Sequence, residues 1–206
     1  MQAPEPRRPN RQQIAAAATR REILLAARVL FAEDGYAKTS IAAIADRAGV
    51  SIPTIYASVG PKPAIVLALV SLIDVAIAGA ETRERIPNES DPAALLALGV
   101  HVNRVLHESF GDIVGALRSA AEVESEIAAA VENGRQMHAL GATRIADRLA
   151  ELEALRPGIT PDEAADVIGL LTDSAAFATL VGQYGWPHDR AEEWLASALQ
   201  RLLLTP

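Results

Sequence analysis

Apolar residues recur three and four positions apart through almost the whole chain, and this periodicity constrains the fold more than any other feature. Such spacing places them on one face of an α-helix, whereas a half-buried strand needs an apolar residue at every second position. No sustained alternation of that kind is present. The sequence therefore predicts an all-α protein, which glycine- and proline-containing breaks divide into about nine helices.

The composition is typical of a folded protein and excludes several kinds of site. Half of the 206 residues are apolar, 22% are charged, and there is no cysteine. Disulfide frameworks, thiolate metal sites and cysteine nucleophiles are thereby excluded. The four histidines lack the spacing of helical zinc ligands, and neither a glycine-rich phosphate loop nor a nucleophile elbow occurs. We predict a protein that is not an enzyme, with no catalytic residues, no metal site and no cofactor.

The most apolar window, Ala64–Ala80, is the candidate for a membrane span. It is shorter than the roughly 20 residues that a span needs, and it contains Asp74. A buried core helix is the better interpretation. The basic N-terminus is followed by an apolar stretch, Ile14–Ala18, that is too short for a signal peptide. We expect a cytoplasmic protein that does not bind membranes.

Three predicted helices near the N-terminus form a recognisable unit. The first covers Thr19–Glu33 and ends at Gly35, while the second and third cover Ile41–Ala48 and Ile52–Ser58 with Gly49 between them. Two short helices joined by a glycine-containing turn and braced by a longer helix are typical of a helix-turn-helix. Spacing alone leaves open that this is an ordinary element of a helical bundle.

Charge is distributed unevenly along the chain. Through Lys62 there are nine Lys and Arg against five Asp and Glu, a net charge of +4, whereas the remainder carries ten against 21, a net charge of −11. A basic N-terminal third on an acidic body suits a polyanionic partner at one end, although a solvated basic face is the plainer alternative. We divide the chain into a basic, disordered arm (1–18), a DNA-binding domain (19–62) and a ligand-binding and dimerisation domain (63–206).

Residues 21–70 resemble the N-terminal signature of the TetR family of transcription regulators. The matching residues are Ile23-Leu24, Ala27, Leu30-Phe31, Gly35-Tyr36, Thr39-Ser40, Ile44-Ala45, Ala48-Gly49-Val50-Ser51, Thr54-Ile55-Tyr56 and Lys62. The resemblance implies an all-α homodimer in which the first three helices bind operator DNA and the fourth links them to the body. It also implies that middle helices enclose a ligand pocket, that the last two form the dimer interface, and that Tyr56 and Lys62 contact phosphates.

Position in the helix-turn-helix completes the set of predicted DNA contacts. These are Thr39, Ser40, Ser51, Ile52, Pro53, Thr54, Tyr56 and Lys62. The tip of the third helix has no Arg, Asn or Gln for bidentate contacts, so we expect Ile52 and Pro53 to meet thymine methyl groups. Partial burial of Ile52 in the head is the alternative. The arginines of the arm either follow the adjacent minor groove or belong to a solvated tail.

The body offers weaker candidates. Polar or aromatic residues on otherwise apolar helices are candidates for the ligand pocket, namely His101, Arg104, His107, Arg118, His138, Asp173 and Phe177. Apolar stripes on the last helices are candidates for the dimer interface, namely Ile168, Leu171, Ala175, Ala178, Leu195, Leu199 and Leu202. Either stripe could instead be internal core.

These observations predict a dimeric regulator, expected to be a repressor, that binds a palindromic operator and is released by an unknown small-molecule effector. Because the family also contains activators, the sign of control is less certain than DNA binding. The alternative function is a helical protein–protein adaptor with a basic head. An adaptor would show no preference for a palindrome.

Overall fold

The computed structural model describes residues 10–77 and 85–205, and within these ranges the chain is helical and contains no strand. The all-α prediction is therefore confirmed. The helices are α1 (Arg11–Asp34), α2 (Ile41–Ala48), α3 (Ile52–Ser58), α4 (Lys62–Ile77), α5 (Pro92–Ala121), α6 (Ser125–Glu151), α7 (Pro161–Thr172), α8 (Ser174–Phe177) and α9 (His188–Leu203). A π-helical segment, Ala178–Gln183, continues α8 towards α9.

Helix α1 begins eight residues earlier than predicted. The Asn10 side chain accepts a hydrogen bond from the Gln13 N–H, and the Gln13 side chain accepts one from the Asn10 N–H, both at 2.8 Å. This capping box satisfies N–H groups that a helix start otherwise leaves free. The predicted disordered arm is therefore wrong from Arg11 to Ala18, which are helical. The arm's remaining arginines, Arg7 and Arg8, lie outside the described residues.

Two apolar cores hold the helices together. The first joins α1, α2 and α3 to α4, to the end of α5 and to the start of α6 through buried residues such as Ile55, Ile65 and Ile113. The second joins the start of α5 to α6, α7 and α9. The first core crosses the boundary that we predicted at Lys62, because α4 and α5 bury their apolar faces against the head.

One described stretch, Pro161–Gln183, is long and apolar enough to cross a bilayer, with a mean hydropathy of 1.5 in its most apolar window. A single helix of this kind is weak evidence for a span. The window predicted from the sequence, Ala64–Ala80, extends beyond α4 into residues outside the described ranges, and α4 itself has 16 residues.

Candidate DNA-binding head and effector cavity

The two short helices of the head have the local structure that their capping residues dictate. The hydroxyl oxygens of Ser40 and Ser51 accept hydrogen bonds from the first turns of α2 and α3. Gly49 ends α2 with φ 67° and ψ 31°, a left-handed conformation that favours glycine. The head therefore has the helix-turn-helix arrangement, with Ile44 and Ile55 fully buried against α1.

The outer face of α3 is exposed and largely apolar. The side chains of Ile52 and Tyr56 are 43% and 53% exposed, and Pro53 is exposed beside them. The head covers part of Ile52, and the exposed 43% remains available for contacts. The hydroxyl groups of Ser51 and Thr54 lie 2.8 Å apart, so one donates to the other, and the Ser51 oxygen also accepts from the Thr54 N–H; each hydroxyl still has a free donor or acceptor position. This surface can make apolar contacts and a few hydrogen bonds.

The Thr39 side chain faces inward. It is 3% exposed, and its hydroxyl donates to the carbonyl oxygen of Gly35 at 2.9 Å, with that of Leu30 3.2 Å away. The prediction that this side chain contacts DNA is therefore wrong. Its neighbour Ser40 is exposed, so the pair divides into one residue that closes the turn and one that faces solvent.

Lys62 binds its own chain. Its ammonium group donates to the carbonyl oxygens of Tyr36 at 2.9 Å and Thr39 at 3.0 Å, and lies 4.2 Å from the centre of the Tyr36 ring. An ammonium group has three N–H donors, so one remains for a phosphate. Sequence reasoning missed the first role because it depends on how the turn after α1 folds against the start of α4.

Two polar side chains of the head form long-range hydrogen bonds to the body. The Arg28 guanidinium donates to both carboxylate oxygens of Asp112, at 2.6 and 2.9 Å, and to the carbonyl oxygen of Ser109 at 2.6 Å. The Tyr36 hydroxyl donates to Glu124 at 3.0 Å. Burial first, and the carboxylate second, raise the pKa of Tyr36 well above its usual range. No sequence signal identifies these pairs, since their partners lie more than 80 positions apart.

The structure brings two predicted ligand residues, His107 and Arg118, to one small cavity of about 80 Å³ between α5 and α8. Gly111, Val114 and Gly115 complete its α5 wall, and Ser174 and Ala178 face them. Arg118 donates to the Ser174 hydroxyl at 2.8 Å and lies 3.4 Å from Asp173.

His107 connects three helices at this cavity. Its ring stacks on Phe177 with centres 6.0 Å apart, and its Nδ1 lies 3.2 Å from Nε2 of His188. Burial, and then the neighbouring histidine, lower the pKa of His107. The ring is therefore neutral near neutral pH. Phe177, another predicted pocket residue, is fully buried beneath this ring. It supports the cavity wall and does not line the cavity.

The remaining predicted pocket residues lie elsewhere. His101 and Arg104 bind Glu192 of α9, and Arg104 also pairs with Asp189. Burial disfavours the Glu192 carboxylate, but the two donors outweigh it and lower its pKa. His138 lies 3.0 Å from the Thr172 hydroxyl, between α6 and α7. These contacts are structural links between helices and do not line the cavity.

The structure divides the predicted dimer residues into two groups. Ile168, Leu195 and Leu199 are buried in the second core, so their assignment to the dimer interface is wrong. Leu171 is partly buried against the same core. The other three, Ala175, Ala178 and Leu202, are exposed, with Leu202 at 49%. The alternative that the stripes are internal core holds for the first group because those side chains point towards α5 and α6.

Two further exposed apolar residues extend the second group. Leu170 on α7 is 72% exposed and Trp194 on α9 is 45% exposed.

Over the described ranges, no group of three or more acidic or histidine side chains has the geometry of a metal site.

Comparisons with known proteins agree with this geometry. Residues 23–69 match the profile of bacterial regulatory proteins of the tetR family. No curated protein sequence matches the chain. The structure is similar to NalD, the secondary repressor of the MexAB-OprM multidrug efflux pump in Pseudomonas aeruginosa, at 25% identity, with 93% of this chain and 98% of that chain covered and a TM-score of 0.72.

Two further solved structures contain ligands. SmeT, the repressor of the Stenotrophomonas maltophilia efflux pump SmeDEF, in complex with triclosan is 19% identical, covering 91% of this chain and 92% of that chain with a TM-score of 0.72. The regulator FadR from Bacillus subtilis in complex with stearoyl-CoA is 17% identical, covering 87% and 96% with a TM-score of 0.69. At these identities the likeness shows the fold.

Proposed function

We propose that the chain is a regulator of the TetR family, because residues 23–69 match the profile of that family, and that it is a ligand-responsive transcriptional repressor that binds a palindromic operator as a dimer. The observation that carries the proposal is the exposed outer face of α3 within a correctly capped helix-turn-helix. NalD and SmeT are described as repressors, which favours repression over activation. An adaptor function has no comparable support.

The exposed tip suggests how operator DNA is recognised. Ile52 and Pro53 supply apolar contacts to thymine methyl groups, and Ser51 with Thr54 supplies hydrogen bonds. Tyr56, Ser40 and the third N–H of Lys62 contact phosphates and position the head. We propose these roles from exposure and from free hydrogen-bonding capacity, and Thr39 no longer belongs to the set.

Dimerisation follows from the exposed apolar surface of the last helices. Leu170, Trp194 and Leu202 place large apolar side chains in solvent, with the small Ala175 and Ala178 exposed between α7 and α9. Two helices from each of two subunits bury such a surface in a four-helix interface. A two-fold axis then places the two heads about one DNA turn apart, which suits a palindrome.

We propose that the protein is cytoplasmic and has no catalytic activity.

Effector binding in the body acts by favouring a conformation in which the heads no longer match successive major grooves. Any ligand that releases the operator must bind that conformation more tightly than the DNA-bound one.

Fluorescence anisotropy with DNA from the protein's own promoter region tests the proposal. We compare wild type with Ile52→Ala and with the control Leu140→Ala, because both side chains are aliphatic and 43% exposed, but Leu140 lies on α6 far from the head in sequence. We expect selective binding that weakens about tenfold in Ile52→Ala and is unchanged in Leu140→Ala.

Salt and sequence provide the remaining controls. Binding should fall steeply between about 50 and 200 mM salt, since each phosphate contact releases counterions. A scrambled palindrome should not compete. If a selection from genomic fragments also yields no sequence that binds selectively, the operator proposal is refuted.

A further inference from the structure

We propose that the cavity between α5 and α8 recognises a small monocarboxylate with a short apolar tail, and that this chemical class is the effector. Only the statement that this ligand is the effector rests on the proposed function. The carboxylate specificity follows from the side chains at the cavity.

The cavity offers positive charge and hydrogen-bond donors but no acid. Of its lining residues, Arg118, His107 and Ser174 carry polar side chains, and none of the lining residues is acidic. The Arg118 guanidinium uses one nitrogen, Nη2, for its contacts with Asp173 and Ser174. Nε and Nη1 have no partner among the described contacts, but each pair of parallel N–H groups that binds a carboxylate includes Nη2, so a bidentate ligand must displace the contact with Asp173 or Ser174.

The existing partner of Arg118 is weakly held. The distance to the Asp173 carboxylate is 3.4 Å, and both side chains are more than 40% exposed. Exposed ion pairs of this kind contribute little, so a ligand carboxylate can compete for the guanidinium. Asp173 has a second contact of its own, because it accepts a hydrogen bond from the Ala175 N–H at 2.7 Å.

The second donor is the imidazole of His107. Its Nδ1 is occupied by His188, whereas Nε2 lies on the Gly111 side of the ring, where a Cβ built on Gly111 would be 3.8 Å from it. His107 and Gly111 both line the cavity, so the side of the ring that carries Cδ2 and Nε2 borders it. In the tautomer whose Nδ1 accepts a hydrogen bond from His188, the Nε2–H donates to an anion that Arg118 holds.

The size of the cavity limits the ligand. A volume of about 80 Å³ corresponds to roughly five to eight water-sized groups at the ~10–15 Å³ that each requires. Val114, Ala178 and the two glycines provide apolar walls. A carboxylate with a chain of three or four carbons fits this space, and a longer tail would extend through the opening at Gly115, which is exposed.

The test uses butanoate, butanamide and butylammonium, which have the same tail and carry a negative, neutral or positive head. Ligand-observed NMR titration of the purified protein, without DNA, gives each dissociation constant. We expect butanoate to bind at least about tenfold more tightly than the other two. Equal affinities for all three would overturn the proposal.

Two pairs of variants identify the site. Arg118→Gln should weaken butanoate binding about tenfold, and the control Arg135→Gln, which removes an exposed arginine of α6, should not. Because Arg118 also anchors Ser174, Gly115→Leu is the independent variant. A Cβ at Gly115 meets nothing within 4 Å, so the helix accepts a side chain there, and because Gly115 lines the cavity we expect the leucine to narrow it.

Gly134→Leu is the matched control, since Gly134 also lies in a helix with open space around it and does not line the cavity. Butanoate binding that survives Gly115→Leu would place the ligand elsewhere and overturn the inference. A final arm adds operator DNA, which butanoate should release from wild type and not from Gly115→Leu. If wild type bound no operator, the proposed function would fail, and the titration without DNA would still decide the carboxylate site.

Discussion

The contact between Arg28 and Asp112 is a bidentate polar link between the head and the body, and its strength can be measured. The two side chains form a bidentate pair with 32% and 28% of their area exposed. Exposed pairs contribute about 0.2–1 kcal/mol, and breaking a buried pair costs about 3–5 kcal/mol. A partly buried, charge-assisted pair lies between these limits, so we expect a coupling free energy of about 1–2 kcal/mol.

A double-mutant cycle isolates this coupling. The free energy of unfolding in urea is measured for wild type, Arg28→Ala, Asp112→Ala and the double variant, at one protein concentration because a dimer unfolds in a concentration-dependent way. The hydrogen bond from Arg28 to Ser109 is lost in two of the variants and cancels in the cycle. What remains is the pair itself.

The pair between Arg47 and Glu33 provides the control cycle. It has one hydrogen bond of 3.0 Å, and its side chains are 43% and 56% exposed. We expect a coupling of about 0.5 kcal/mol or less for this pair. If the cycle at Arg28 gave the same small value, the reasoning from burial and bidentate geometry would be refuted.

The same contact explains how the cavity can influence the head. Asp112 is the next residue after Gly111, which lines the cavity, and the two lie on one turn of α5. A ligand that displaces this turn therefore displaces the carboxylate that holds Arg28 of α1. The route complements a tilt of α4, because both α4 and α5 share the first core with the head.

Three other predictions follow from burial and charge. Thr39→Val should destabilise the protein by about 1–2 kcal/mol in urea unfolding and leave the operator affinity of the folded protein intact, whereas Ser40→Ala should lower both the stability and the operator affinity. Weaker DNA binding by folded Thr39→Val would contradict the inward orientation of the Thr39 side chain. Leu199→Ala should lower the free energy of unfolding by about 2–5 kcal/mol, and Leu202→Ala should instead raise the dimer dissociation constant in sedimentation experiments. A Leu199→Ala variant with the stability of wild type would refute the assignment of Leu199 to the core. His107 has a lowered pKa in the folded protein, so its contribution to stability is present above the usual histidine pKa of 6.5 and is lost as the pH falls through its pKa in the folded protein. His107→Gln should flatten that part of the stability–pH curve, and an unchanged slope would exclude His107 as the source of the pH dependence.

Local chemistry explains why much of the head was predictable. Ser40 and Ser51 cap the starts of α2 and α3, and Gly49 supplies the left-handed turn between them. The bounds of both helices therefore agree with the prediction. The start of α1 carries the same kind of signal in Asn10 and Gln13, and this capping box outweighs the polar composition on which the prediction of a disordered arm depends.

The sequence by itself determined the helical class, the capped helix-turn-helix and its exposed apolar tip, because these depend on contacts within a few residues. Tertiary structure alone decided which face of each amphipathic helix is core and which is free. An apolar stripe looks the same in either role, so Leu199 is buried while Leu202 is exposed. Polar side chains likewise choose among distant partners only after packing, as Lys62 does at the turn after α1 and Arg118 does at the cavity.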